Sequence, residues 1–236
     1  MKHQKLALLA IAAMGALAAC KKDEPAEVDL GYDYFPQNIG HWIEYQVDSS
    51  RSFLTNAGNL SDVQTNTWSY QLREVLVENI TDGEGRPAQR IIRYLRDENG
   101  NWLPKDVWWQ TRDNVRAERS EENQLRVKLT FPPRVNTEWN MNAGNTEEEF
   151  GLTYDYVDEP YSVNGFSFDK TLSVVSTFEN NPLQTKNYRT RYAKGVGAIT
   201  FEMDSIDAQP SFQPGGPSFN SYDRWMWKYT LTAYGN

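Results

Sequence analysis

The chain has 236 residues, 39% apolar, 13% aromatic and 24% charged, and a net charge of -8 at pH 7. That balance supplies a packed core and excludes a wholly disordered chain, while the acidic excess excludes nucleic acid as a partner, since phosphate binding needs a basic footprint. One cysteine and two histidines exclude an internal disulfide and leave little material for a zinc site.

The first element in chain order stands outside the fold. Lys2 and Lys5 precede an apolar stretch from Leu6 to Leu17, and Leu17-Ala18-Ala19-Cys20 closes it with small residues before the cysteine. The stretch suits a secretory signal peptide and is too short to span a bilayer, which takes roughly 20 residues. Leu-Ala-Ala-Cys resembles the lipobox of bacterial lipoproteins. The resemblance implies a signal peptide over residues 1–19, lipidation of the Cys20 thiol, and further acylation, such as palmitate, on the new amino terminus. Two or three acyl chains, at about 0.8 kcal/mol per buried CH₂, hold a protein durably at a membrane. Cleavage would remove Lys2, His3 and Lys5, taking the net charge to -10 and leaving His41 as the only histidine. Lys21-Lys22-Asp23-Glu24-Pro25 resembles an export signal of Bacteroidota-type lipoproteins. It implies the outer membrane, with the cell surface favoured over the periplasmic face, though a charged tether would have the same composition. Residues 20–35 read as that lipidated flexible tether.

Residues 36–236 read as one antiparallel β domain. Ile43, Tyr45 and Val47 alternate with polar residues, as do Leu125, Val127, Leu129 and Phe131, then Phe150, Leu152, Tyr154 and Tyr156, and finally Trp225, Trp227, Tyr229 and Leu231. Such alternation places one set on a buried face and the other in water. Asp82-Gly83-Glu84-Gly85, Asn99-Gly100 and Asn164-Gly165 mark hairpin turns, the Asn-Gly pairs suiting type I′ turns with two positive φ angles. The stretch from Gln209 to Ser218, rich in proline and glycine, reads as a loop before the last strand. The expected fold is all-β, a strongly curved antiparallel sheet, open barrel or sandwich of roughly nine to eleven strands.

Two segments carry a further resemblance. Tyr34-Phe35-Pro36, Gly40 and Trp42 to Tyr45 form an aromatic-Pro-x-x-x-Gly-x-Trp-x-x-Tyr pattern, and Tyr192-Ala193-Lys194-Gly195-Val196-Gly197 forms a glycine turn before a strand. Both resemble segments of uncharacterised cell-envelope lipoproteins of the Bacteroidota type. The resemblance implies a fold and a location and no reaction. Physically, Gly195 and Gly197 suit backbone angles closed to other residues, and Gly40 lets the chain bend into the first strand.

Candidate chemistry is sparse. A Ser-His-Asp triad would have to use His41, with Ser49 or Ser50 near in sequence, but no nucleophile elbow is present, and a solvent-facing strand-end histidine is the simpler reading. Carboxylates at Glu147-Glu148-Glu149, Asp155, Asp158-Glu159, Asp204 and Asp207 could supply a glycosidase pair only if two faced each other about 5 to 9 Å apart across a cleft. The three glutamates read as a solvated strand start. Asp97-Glu98-Asn99-Gly100-Asn101 loosely approaches a calcium loop, and a hairpin explains it more simply. Asp204-Ser205-Ile206 resembles an O-glycosylation acceptor and would make Ser205 exposed. The eight tryptophans are the best lead. Trp108 and Trp109 point to opposite faces of a strand, and exposed Trp faces stack on sugar rings, while Trp42, Trp68, Trp225 and Trp227 are expected to fill the core.

No cofactor or metal motif is present and no enzymatic activity is expected. The reading is a lipid-anchored envelope protein, bound to the membrane through its anchor, that serves as a non-enzymatic binding or interaction module, with a glycan or an apolar molecule as the candidate ligands. Two alternatives stand beside it, a carrier for an apolar ligand and a glycan hydrolase with paired carboxylates.

Overall fold

A computed structural model describes residues 28–213 and 216–236. The signal peptide and Cys20 lie outside the described residues. Twelve strands form one antiparallel sheet: β1 (Trp42–Phe53), β2 (Gln64–Thr81), β3 (Pro87–Arg96), β4 (Trp102–Arg112), β5 (Arg116–Glu121), β6 (Gln124–Thr130), β7 (Glu138–Asn140), β8 (Gly151–Val163), β9 (Phe166–Ser176), β10 (Gln184–Ala193), β11 (Gly197–Gln213) and β12 (Gly216–Gly235). The count exceeds the expected nine to eleven. β7 has three residues, and β5 reads Arg-Ala-Glu-Arg-Ser-Glu, so neither carries an apolar alternation.

Sheet order is β6-β5-β4-β3-β2-β1-β12-β11-β10-β9-β8-β7, a meander in which the first and last strands pair at the centre. The two edges, β6 and β7, curl toward each other into a nearly closed barrel. At the seam the Val127 amide donates to the Met141 carbonyl at 2.8 Å and the Trp139 indole donates to the Val127 carbonyl at 3.0 Å. The Tyr154 hydroxyl accepts from the Thr130 amide at 2.9 Å and donates to its carbonyl at 2.6 Å. Side chains thus satisfy edge groups that would otherwise be left unpaired.

The hairpins show two turn chemistries. Asn164 and Gly165 both take positive φ, 48° and 84°, as a type I′ turn requires. At Asn99-Gly100 only the glycine does, and the Gly100 amide returns to the Asp97 carbonyl at 3.0 Å, giving a five-residue turn that Asp97 caps through the Asn101 amide at 2.7 Å. Asp82 to Arg86 repeats this design. The Asp97 segment is therefore a hairpin.

The stretch from Gln209 to Ser218 is paired strand around an undescribed tip, not the expected loop. β10 stops pairing at Asp207 and β1 at Asp223, while β11 and β12 continue together to Gln213 opposite Gly216. Along this arm, beyond Asp223, the outer edge of β12 is held among the described residues only at Tyr222 and Phe219, by Leu54 and Gly58, so Pro210 and Pro217 stand where a missing N–H leaves no ladder partner unsatisfied.

At the other end the chain closes the barrel. Gly31, at φ +75°, leads into a short 3₁₀ turn at Tyr32–Tyr34. Arg112 donates to the carbonyls of Tyr32 and Phe35 at 2.7 and 3.2 Å, and the Gln110 amide donates to the Pro36 carbonyl at 2.7 Å. Tyr34 is fully buried and Asp29 pairs with Lys194, so packed residues lie within the segment read as tether. The two sequence motifs meet here. The Gly195 amide donates to the Asp33 carbonyl at 2.8 Å, Tyr45 Oη donates to the Ala198 carbonyl at 2.7 Å, and Gly197, at φ +93°, lies so that a Cβ would sit 3.4 Å from Pro36. His41 is buried, contrary to the solvent-facing expectation, with Nε2 donating to the Val196 carbonyl at 2.8 Å and Nδ1 2.7 Å from the Asn236 side chain. It is a structural tie between the motifs.

Candidate functional site: an aromatic and charged cavity

Because strand directions alternate, the plug end holds the starts of β1, β3 and β5 and the turn before β11. The opposite end holds the loop 141–150 and the arm. Between them lies a cavity of about 950 Å³, floored by Phe35, Tyr45 and Tyr192 and opening past Glu147, Glu148, Glu149 and Trp227. The three glutamates are in the loop before β8 rather than in a strand, which sets them at the mouth.

Ten of the lining side chains are aromatic. One wall is a run of rings meeting edge to face: Phe150 and Tyr188 at 5.9 Å, Tyr188 and Phe201 at 5.4 Å, Phe201 and Tyr229 at 5.3 Å, and then Tyr229 tilted on Tyr45 at 5.7 Å. Burial pushes the phenols of Tyr45, Tyr192 and Tyr229 well up, so they remain neutral donors at pH 7.

The facing wall is charged. Arg93 and Arg119 donate to Glu74 at 3.1 and 3.0 Å, Arg119 also reaches Gln110 at 3.0 Å, and the Arg93 guanidinium lies 3.6 Å from the Trp108 ring centre. Lys128 pairs with Glu121 at 3.0 Å. Arg126 donates to Asn142 and to Glu147, each at 3.0 Å. Burial raises the Glu121 carboxyl, but Lys128, Arg119 and Arg126 outweigh it and hold the group below its ordinary value. Burial likewise lowers Lys128, and Glu121 outweighs that and raises it. Glu121 is thus held charged, the opposite of what a glycosidase acid requires.

Lys128 and Arg126 belong to the polar set of the β6 alternation, which was expected to face water. Lys128 is buried and both line the cavity, because the register shift between Ala117 and Glu118 lets Leu129 join the core beside them. Residue patterns hinted at the rest. Glu74 stands between Leu72 and Leu76, and Arg93 between Ile91 and Leu95, each a charge in an apolar set, and the two are cross-strand partners.

The tryptophans correct the core expectation. None of the eight is fully buried, and smaller apolar residues and tyrosines fill the core instead. Trp42 lies against Arg73 at 5.1 Å. Trp68, Trp225 and Trp227 form a ladder, with ring centres 6.3 Å apart at an interplanar angle of 12° for the first pair and 5.2 Å at 29° for the second. Arg51 lies 4.9 Å from the Trp225 ring and is held by two bonds to Asp223, at 3.0 and 2.9 Å. Trp227 belongs to the cavity wall and Trp68 is 44% exposed, so the ladder runs outward from the mouth. A second, more open depression of about 1090 Å³ adjoins it at Trp68, Trp227 and Ser49. Trp108 faces the cavity, as its opposition to Trp109 allows.

The remaining candidates are scattered. Ser49 stands eight residues along β1 from His41, roughly 26 Å at 3.3 Å per residue, so no triad assembles. Asp155 pairs with Arg189 at 2.6 Å, Asp158 accepts from the Tyr34 hydroxyl at 2.7 Å, and Asp204 takes two bonds from Arg224. Ser205 is half-buried and lines the cavity, which does not suit a glycosylation acceptor.

No protein-family model matches this chain, and no curated protein matches it. Among solved structures it is similar to a protein of Parabacteroides distasonis ATCC 8503 described as a "putative lipoprotein", at 12% identity over 86% of this chain and 98% of that one, with a TM-score of 0.37.

Proposed function

We propose that the domain is a non-enzymatic binding module that takes a carbohydrate-class ligand into its cavity and along the tryptophan ladder, carried on a lipid anchor at Cys20. The observation that carries this reading is the Trp68-Trp225-Trp227 ladder leading into a cavity of aromatic faces and fixed hydrogen-bonding groups. A sugar ring offers an apolar face to stack and polar edges to bond, and this lining supplies both. An apolar-ligand carrier fits less well, since a lipid tail would lie against Glu74, Arg93, Arg119 and Lys128 and desolvate them without compensation. A hydrolase is disfavoured because Glu74, Glu121 and Glu147 of the cavity are tied up in ion pairs. The Leu17-Ala18-Ala19-Cys20 sequence supports a lipid anchor, and Lys21-Lys22-Asp23-Glu24-Pro25 after it supports the outer membrane with the cell surface favoured.

The test is titration of the intrinsic tryptophan fluorescence of the purified protein with a panel of neutral and acidic oligosaccharides. Binding by wild type, weakened tenfold or more by Trp225→Ala, is expected. A wild-type protein whose fluorescence and calorimetric heat respond to no sugar of the panel would overturn the reading.

A further inference from the structure

Eleven large apolar side chains are exposed among the described residues, and six of them, Val28, Leu30, Ile39, Val115, Val135 and Tyr234, lie at the plug end. Single exposed apolar residues are ordinary on a protein surface, but here they collect at one end of the barrel. Val28 and Leu30 belong to the segment that enters the domain. Val115 is in the turn between β4 and β5, where the Asp113 carboxylate accepts from the Val115 and Arg116 amides at 2.7 and 2.8 Å. Val135 is in the turn after β6, closed by the Thr137 amide donating to the Arg134 carbonyl at 3.0 Å.

These three segments are fixed against one another. The Phe131 amide donates to the Val115 carbonyl at 2.7 Å, the Tyr32 hydroxyl donates to the Asn114 carbonyl at 3.3 Å, and the Tyr32 and Phe131 rings meet edge to face at 5.0 Å. Gly31 lies so close to the Pro133 ring that a Cβ would approach it to 2.6 Å. Val115, 63% exposed, and Val135, 51% exposed, thus stand on braced turns beside the entering chain. The charges around them are largely matched, since Lys194 pairs with Asp29 and Arg116 with Glu118 at 2.8 Å.

We propose that this end of the domain seats on the lipid surface, with Leu30, Val115 and Val135 entering its interface. The inference rests on the anchor at Cys20 proposed above and adds to it a contact made by the folded domain. Residues 20–27 span at most about 29 Å at 3.6 Å per residue, so a lipidated Cys20 keeps the bilayer within reach of Val28. A few aliphatic side chains bind a membrane weakly, but the tether makes the contact intramolecular, and its high effective concentration keeps a weak contact occupied. Aliphatic side chains on separate turns suit a fluid interface that closes round each of them, whereas a second copy of the chain would need a matching hollow for each.

Lipidation consumes the only cysteine, so one introduced thiol carries a label at a chosen site. Lipidated full-length Val115→Cys, Val135→Cys and, as a control at the open end, Leu60→Cys are labelled with bimane, reconstituted in phosphatidylethanolamine and phosphatidylglycerol vesicles and collected by flotation. Nitroxides on the lipid acyl chains are expected to quench the first two labels at least threefold more than the third. Adding Val135→Asp to the Val115→Cys protein should at least halve its quenching while flotation stays unchanged, and quenching indifferent to that change overturns the proposal. Equal quenching of all three labels in floated protein overturns the seat and leaves the anchor standing. Protein that stays out of the vesicle fraction sinks the anchor reading and the seat with it. A Val115→Cys label whose emission shifts with protein concentration in the Cys20→Ala background, without vesicles, assigns this end to a second copy and overturns the lipid seat.

Discussion

Glu121 and Lys128 meet inside the barrel, so their contribution to stability depends on pH in a fixed direction. The folded Glu121 value lies below its ordinary 4.5, so its stabilisation is fully present above 4.5 and is lost as pH falls through the lowered value. Lys128 is raised above 10.5, so its share is present below 10.5 and is lost as pH rises through the raised value. Glu121→Gln leaves a buried cation without its carboxylate and is expected to cost about 3 kcal/mol at pH 7. That penalty should shrink as the pH is lowered past 4.5, which urea denaturation of both proteins across pH 3 to 7 would reveal. A constant penalty over that range contradicts the pairing. Glycine supplies a second prediction. Gly40→Ala, at φ +95° with open space around it, and Gly197→Ala, at φ +93° with ordinary contacts to Pro36 and Ile43, both meet backbone strain and should each cost about 1–2 kcal/mol. Thermal denaturation of the two variants checks this, and a variant as stable as wild type contradicts it.

Elements differ in how far their sequences announce them. β1, β8 and β12 are legible because their inward sets are apolar and their outward sets polar, and the Asn164-Gly165 turn is legible because its geometry depends on those two residues alone. β5 and β7 are not legible, since one is charged on both faces and the other has only three residues. The arm was hidden because prolines and glycines normally end strands, and Pro210 and Pro217 are tolerable there because no continuous strand ladder needs their missing N–H groups. The cavity charges were half visible, as isolated ions in apolar sets, but their partners depend on cross-strand register, which local pattern does not encode. The seam between β6 and β7 gives the prediction at this scale. Tyr154→Phe removes both bonds to Thr130 and should cost about 1–3 kcal/mol, with the Thr130 amide exchanging hydrogen much faster than amides of β1. Unchanged protection at Thr130 would show that the seam is held by packing alone.

The whole molecule has a closed end and an open one, and residue 29, held to Lys194, is at the closed end. On the proposed anchor, residues 20–27 span at most about 29 Å at 3.6 Å per residue and would attach the lipid at the closed end. Cys20→Ala should release the protein into the soluble fraction, and its retention in membranes would contradict the lipobox reading. The released variant should also bind ligand as tightly as the lipidated protein in vesicles, because nothing in the path to the mouth involves the bilayer. The expected location rests on short linear segments, from which export and lipidation are read, whereas a ligand is read by side chains gathered from many strands.

Pairing of Trp42 with Gly235 sets the timing of assembly. A chain delivered amino end first can zip β1 through β6 as a local meander and β7 through β11 as another, but the central ladder waits for the last strand. Until then the halves are joined only across the β6–β7 seam, and the first strand presents a bare edge until its partner arrives. An interruption anywhere before β12 leaves the sheet open at its centre, so the cavity is the final thing the chain makes.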